Sequence, residues 1–160
     1  MIKAASILNI PIYATTQNRA RLGETCSELS IPNAVEHADK TAFSMFIPQI
    51  ANHFSSATPS EVVIVGIESH ICVTQTTLDL LANGHKVYVL ADGVSSCNPQ
   101  EIPIALARLR AAGAVVTTSE SFIFELTGDA AIPEFKAVSQ LIKETSSPTK
   151  DVMATLLSKM

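Results

Sequence analysis

The stretch Glu61-Val62-Val63-Ile64-Val65-Gly66-Ile67 decides the fold. Its β-branched residues run on without polar alternation, the pattern of a parallel strand buried on both faces. Glu68-Ser69-His70-Ile71-Cys72-Val73 follows at once and opens a helical pattern, with Ile71, Thr74, Leu78 and Leu81 about one turn apart. Ser69 stands at the N-cap position, and Asn83-Gly84 closes the helix. Downstream, KVYVLADG reads as a second buried strand ending at Asp92, and Pro99 to Ala112 as a helix stopped by Gly113. AVVTTSE, 114–120, reads as a third strand, and a last helix is expected from about Pro133 to Glu144.

Upstream of the decisive strand the signals are weaker. PIYATT, 11–16, reads as a short strand entered from the end of a helix. From Gln17 to Lys40 the composition is polar, with Pro32-Asn33 as breakers, and a loop with little regular structure is expected. Ser44 to Phe54 spaces Met45, Phe46, Ile50 and Phe54 roughly as a helix would, with Ser44 as its cap and Pro48 in the first turn. Strands and helices alternating through short connections give crossover units. The expected fold is therefore α/β: three layers, α/β/α, around a mainly parallel, Rossmann-like sheet. One domain is expected over 1–145, with 146–160 as a C-terminal tail.

Composition narrows the function. Of the 160 residues, 47% are hydrophobic and only 16% charged, an apolar surplus that suits doubly buried strands or a face for another copy, so a homo-oligomer is expected. A net charge of −4 with scattered lysines and arginines offers no surface for nucleic acid. No apolar run approaches the ~20 residues of a membrane span, and the N-terminal stretch carries no small-residue cleavage site. A cytoplasmic protein is expected. Cys26, Cys72 and Cys97 are odd in number and lack paired spacing, which argues against a disulfide framework or a zinc knuckle. The four histidines show no two-ligand spacing on one helix face, so no metal or other cofactor is expected.

Open parallel sheets place their reactive groups beyond the carboxyl ends of the strands. Among those ends, the turn Glu68–Cys72 is chemically the richest. A cysteine in an apolar helix is ordinarily a small buried hydrophobe; Cys72 differs from Cys26 and Cys97 in standing where a strand runs into a helix. There the positive helix end and free N–H groups favour a thiolate. The amides of Glu68 and Cys72 could hold the oxyanion of a tetrahedral intermediate.

These residues resemble a family. Gly66-Ile67-Glu68-Ser69-His70-Ile71-Cys72-Val73, then Thr76, Leu80, Gly84 and Ala91-Asp92, look like the core signature of the isochorismatase-like cysteine hydrolases. Asp39-Lys40-Thr41-Ala42-Phe43-Ser44-Met45-Phe46 resembles that family's lysine motif. The likeness covers nearly the whole chain in order and is greatest to the isochorismatase domain-containing branch. It implies Cys72 as nucleophile, Lys40 as the group that stabilises the thiolate, and a cis peptide at Ile67-Glu68 that aims the Glu68 amide at the oxyanion. Without the resemblance, Lys40 reads equally as a solvated loop lysine. Gln17 resembles a substrate-pocket position, with Phe43 and Ile67 as further candidates. The metal ligands of the nicotinamidase relatives are not matched.

The resemblance also implies an aspartate near the end of a first, central strand, which this sequence does not contain. Met1 falls where the family is already inside its first helix, and loss of that strand should leave apolar edges and a gap in the sheet. A longer natural protein is one expectation. Neither Asp39, Glu68 nor Asp92 is nominated as a replacement. Asp92 is expected to cap a loop around Ser95 and Ser96, and Glu68 to face either the pocket or solvent. Two functions follow. One is hydrolysis of a small, unidentified molecule at an amide, imide or ester-like bond through a Cys72 thioester, although the family includes enzymes that cleave an enol ether without a covalent cysteine step. The alternative is a catalytically inactive, truncated domain that acts by binding or assembly.

Overall fold

The computed structural model describes residues 1–54 and 58–157. Its elements run α1 (Ile2–Ile7), β1 (Tyr13–Gln17), α2 (Arg19–Leu22), β2 (Glu36–Lys40), α3 (Pro48–Ala51), β3 (Glu61–Ile67), a π-helical turn (Ser69–Val73), α4 (Thr74–Ala82), β4 (Lys86–Ser95), α5 (Glu101–Ala111), β5 (Val115–Thr117), α6 (Ser119–Thr127) and α7 (Phe135–Leu157). Every strand pairing is parallel, as α/β crossover units require.

The centre of the molecule is β4, between β3 and β5. Residues Val87 to Ala91 are all buried, and their alternation divides the core into two layers. Val87, Val89 and Ala91 pack with Leu80 of α4 and with Leu106 and Leu109 of α5. Tyr88 and Leu90 point the other way, onto Phe122 of α6. Helices on both faces of a parallel sheet make the expected three-layer α/β/α arrangement.

The sheet is divided. Among the described residues β1 pairs with β2, and β3–β4–β5 form a separate sheet; no strand joins the two. This corrects the reading of 61–67 as doubly buried. Ile64 is buried, but Val65 is 45% and Ile67 66% exposed. The apolar run is present as read, yet β3 keeps one unpaired edge, and a strand is covered only by the neighbours it has.

Four element readings change. The stretch read as a loop from Gln17 to Lys40 ends in β2, which pairs in register with β1 from Tyr13↔Glu36 to Gln17↔Lys40. Glu36-His37-Ala38-Asp39-Lys40 holds one small apolar residue, so the backbone ladder forms it without a hydrophobic signature. The helix expected over 44–54 shrinks to α3 with Ile47 as N-cap. Pro48 disfavours helix in the residue before it, and the Ser44 hydroxyl accepts the Phe46 N–H in a local turn instead (3.1 Å). Residues 119–127, read partly as strand, are α6, capped by Thr118 Oγ1 on the Ser121 N–H. Finally, α7 continues past Glu144 to Leu157 with Pro148 inside it, at the loss of one helical hydrogen bond to the Glu144 carbonyl.

Candidate active site

Strand register brings the site together. Gln17 and Lys40 are ladder partners at the last position of β1 and β2. The segment after Lys40 is tied to α4, because the Met45 N–H donates to Thr76 Oγ1 (2.9 Å). Cys72 stands one turn earlier, in the π-helical turn after β3. The peptide bond Ile67-Glu68 is cis.

Lys40 is 7% exposed, so the solvated-lysine reading does not apply. An ammonium has three donors, and all three are engaged. Nζ donates to Gln17 Oε1 at 2.5 Å, to the Ala42 carbonyl at 2.9 Å and to the Phe43 carbonyl at 3.0 Å. Gln17 Nε2 in turn donates to the Thr41 carbonyl at 2.9 Å. The loop thus folds over the ammonium and fixes it. Cys72 Sγ lies 4.0 Å from Nζ, and with the donors occupied the sulfur receives the charge rather than a short hydrogen bond. Burial lowers the Lys40 pKa from its ordinary value, opposed by the attraction of Cys72 and of Asp39.

Of the sequence candidates, Gln17, Lys40, Cys72 and the Phe43 carbonyl therefore meet. The Phe43 and Ile67 side chains are 52% and 66% exposed. The acids are occupied elsewhere. Asp39 accepts from Thr16 Oγ1 (2.8 Å) and the Arg19 N–H (2.9 Å), and its pKa is lowered by the Arg19 amide first and the Thr16 hydroxyl second. Asp92 does not cap a loop at Ser95 and Ser96; it accepts from the Ser119 N–H (2.8 Å) and hydroxyl (2.5 Å), where α6 begins. Glu68 faces neither the Lys40 cage nor bulk solvent alone, since Oε2 accepts the Cys97 N–H at 2.7 Å.

Around the Cys72 turn the structure shows partners that the sequence did not reveal. Ser69, fully buried, does not serve as an N-cap; its hydroxyl donates to the Ser95 carbonyl at 2.7 Å. His70 Nδ1 pairs with Ser96 Oγ at 3.0 Å. Ser95 ends β4, and Ser96 and Cys97 follow it; their location at a carboxyl end was visible, but their partners were not. A cavity of 540 Å³ lies elsewhere, bounded by α1, α7 and residues 30–33, and is lined mainly by aliphatic side chains such as Ile7, Ile12 and Leu141. It contains none of the groups at Cys72, so chemistry rather than concavity marks the site.

Comparison with known proteins agrees with this geometry. The isochorismatase domain matches residues 1–121. The chain is 46% identical over 150 residues to the secreted isochorismatase effector Isc1 of Phytophthora sojae, covering 90% of this chain and 71% of that protein. It resembles the structure of MAR1 ribonuclease from Caenorhabditis elegans with a TM-score of 0.81 and 42% identity, over 88% of this chain and 73% of that one. The Escherichia coli YcaC product, an octameric hydrolase of unknown specificity, shares the fold at a TM-score of 0.82 and 20% identity, over 99% of this chain and 79% of that one. Sequence motifs, parallel α/β fold and matches along most of the chain coincide, and the chain belongs to the isochorismatase family of hydrolases.

Proposed function

We propose that the chain hydrolyses a small-molecule amide, imide or ester-like bond through Cys72. The observation that carries this reading is the caged Lys40 ammonium 4.0 Å from Cys72 Sγ. A fixed, buried cation beside a sulfur supplies the positive charge that a thiolate nucleophile needs. The thiolate adds to the substrate carbonyl, forming a C–S bond and an oxyanion, for which the Glu68 and Cys72 amides are the proposed donors. Collapse of the adduct breaks the bond to the leaving group. Water then cleaves the thioester, giving an acid and regenerated Cys72. Gln17, Phe43 and Ile67 are the proposed pocket residues: Gln17 holds the ammonium, and the two apolar side chains are exposed.

Family membership favours a hydrolase over an inactive domain acting by assembly. No described helix is long and apolar enough to cross a membrane. Exposed Phe124 and Leu126 on α6, at 41% and 42%, support the homo-oligomer, and three free cysteines suit the reducing cytoplasm. The test is a screen of small amides, imides and esters with the wild type and Cys72→Ala. Turnover and labelling at residue 72 are both expected to disappear in the variant; continued turnover would overturn the covalent mechanism.

A further inference from the structure

The turn that carries Cys72 is clasped to the end of β4 and the loop after it by three consecutive side chains. Glu68 Oε2 accepts the Cys97 N–H at 2.7 Å, Ser69 Oγ donates to the Ser95 carbonyl at 2.7 Å, and His70 Nδ1 pairs with Ser96 Oγ at 3.0 Å. The clasp begins where the backbone ladder ends, since Ile67↔Ser95 is the last register pair of β3 and β4. Beyond it, side chains alone hold residues 96–98 against the turn, with Ser96 Oγ also accepting the Asn98 N–H at 3.2 Å. Ser69 is fully buried, so the middle member is fixed by packing. Glu68 at one end is half-exposed and charged, and carries the shortest charge-assisted bond of the cluster.

We propose that Glu68 is a positioning residue, whose carboxylate docks the 96–98 loop and thereby sets where the Cys72 turn presents its sulfur and amides. The carboxylate follows directly on β3, four residues before Cys72, and the intervening π-helical turn has only five residues. A shift of the loop end is therefore transmitted to the turn with little chain to absorb it. The proposal gives the side chain a role separate from that of its backbone N–H, and it rests on the reading of Cys72 as the reactive thiol.

The decisive readout needs no substrate: the rate of Cys72 alkylation by iodoacetamide, followed by peptide mass spectrometry with exposed Cys26 as internal reference. Glu68→Ala is expected to slow alkylation at Cys72 at least fivefold and leave Cys26 unchanged. Glu68→Gln keeps an oxygen acceptor for the Cys97 N–H and is expected to restore the rate to within twofold, which separates position from charge. Amide hydrogen exchange at Cys97 is expected to accelerate in Glu68→Ala and not in Glu68→Gln. Faster exchange at Cys97 with an unchanged Cys72 rate would overturn the proposal and leave the hydrolase reading intact. A wild-type Cys72 no more reactive than Cys26 would instead overturn the reading of the thiol, and this proposal with it. If Glu68→Ala does not fold, Glu68→Asp decides: it keeps the charge but draws the carboxylate back from the Cys97 N–H, and faster exchange at Cys97 with an unchanged Cys72 rate there refutes the coupling.

Discussion

Replacing Lys40 by methionine separates its two tasks. The ammonium holds the loop through three hydrogen bonds and faces Cys72 Sγ at 4.0 Å. Two unit charges at that distance interact by about 4 kcal/mol at an effective dielectric constant near 20. Losing that attraction lowers the rate of a thiolate-dependent step by up to about a thousandfold. Stability changes less. Gln17 Oε1 and the Ala42 and Phe43 carbonyls lose a charged donor, at about 1–3 kcal/mol for each one left unsatisfied, while removal of a buried cation returns several kcal/mol of desolvation. The net expectation is a loss of about 2 kcal/mol, or about 4–8 °C in Tm for a chain of this size. The assay is iodoacetamide alkylation of Cys72 at neutral pH, with Cys26 as reference, alongside thermal unfolding. A fall of at least a hundredfold at Cys72 with a folded protein is expected. A Cys72 rate within threefold of wild type in folded Lys40→Met would refute the reasoning, because the charge would then be irrelevant to the sulfur.

Two further expectations concern stability. The Asp39 pKa is lowered by the Arg19 amide and the Thr16 hydroxyl, so the native state binds fewer protons there than the unfolded chain. Its contribution is present above the ordinary carboxylate pKa and is lost as pH falls through the lowered native value; Asp39→Asn should flatten that acid limb in urea titrations from pH 6 down to pH 2, and an unchanged limb would count against it. Leu106 is fully buried between β4 and its helix layer, and Leu106→Ala should cost about 2–5 kcal/mol, read as a lower urea midpoint at constant m-value.

The sequence was most readable where burial is continuous. From Lys86 to Ala91 every apolar residue meets a helix layer, so periodicity and structure coincide. β2 was hidden because Glu36 to Lys40 owes its pairing to backbone hydrogen bonds and to register with β1, neither of which leaves an apolar imprint. The π-helical turn was likewise invisible: Ser69 has the composition of a cap, but full burial directs its hydroxyl to Ser95 across the sheet end. Cys72 and Lys40 could be nominated from their motifs. Their mutual distance depends on loop 41–46, anchored by the Met45–Thr76 bond, a contact 31 residues apart in the chain.

The electrostatics of Lys40 bear on what the site can hold. Among the described residues no carboxylate pairs with its ammonium, because Asp39, Glu68 and Asp92 are bonded to other groups. Its contacts are three neutral oxygens and one sulfur. Carbonyl dipoles solvate a buried cation but leave its net charge in place. On the proposed mechanism that charge faces first the Cys72 thiolate and then the oxyanion that forms as the sulfur is acylated. The negative charge moves a few ångströms while the cation, held by its own loop, stays still. An arginine at position 40 would keep the charge, but its planar fork cannot direct three donors into the converging oxygens of Gln17, Ala42 and Phe43. The cage thus selects lysine by geometry, and holds its charge 4.0 Å from Cys72 Sγ.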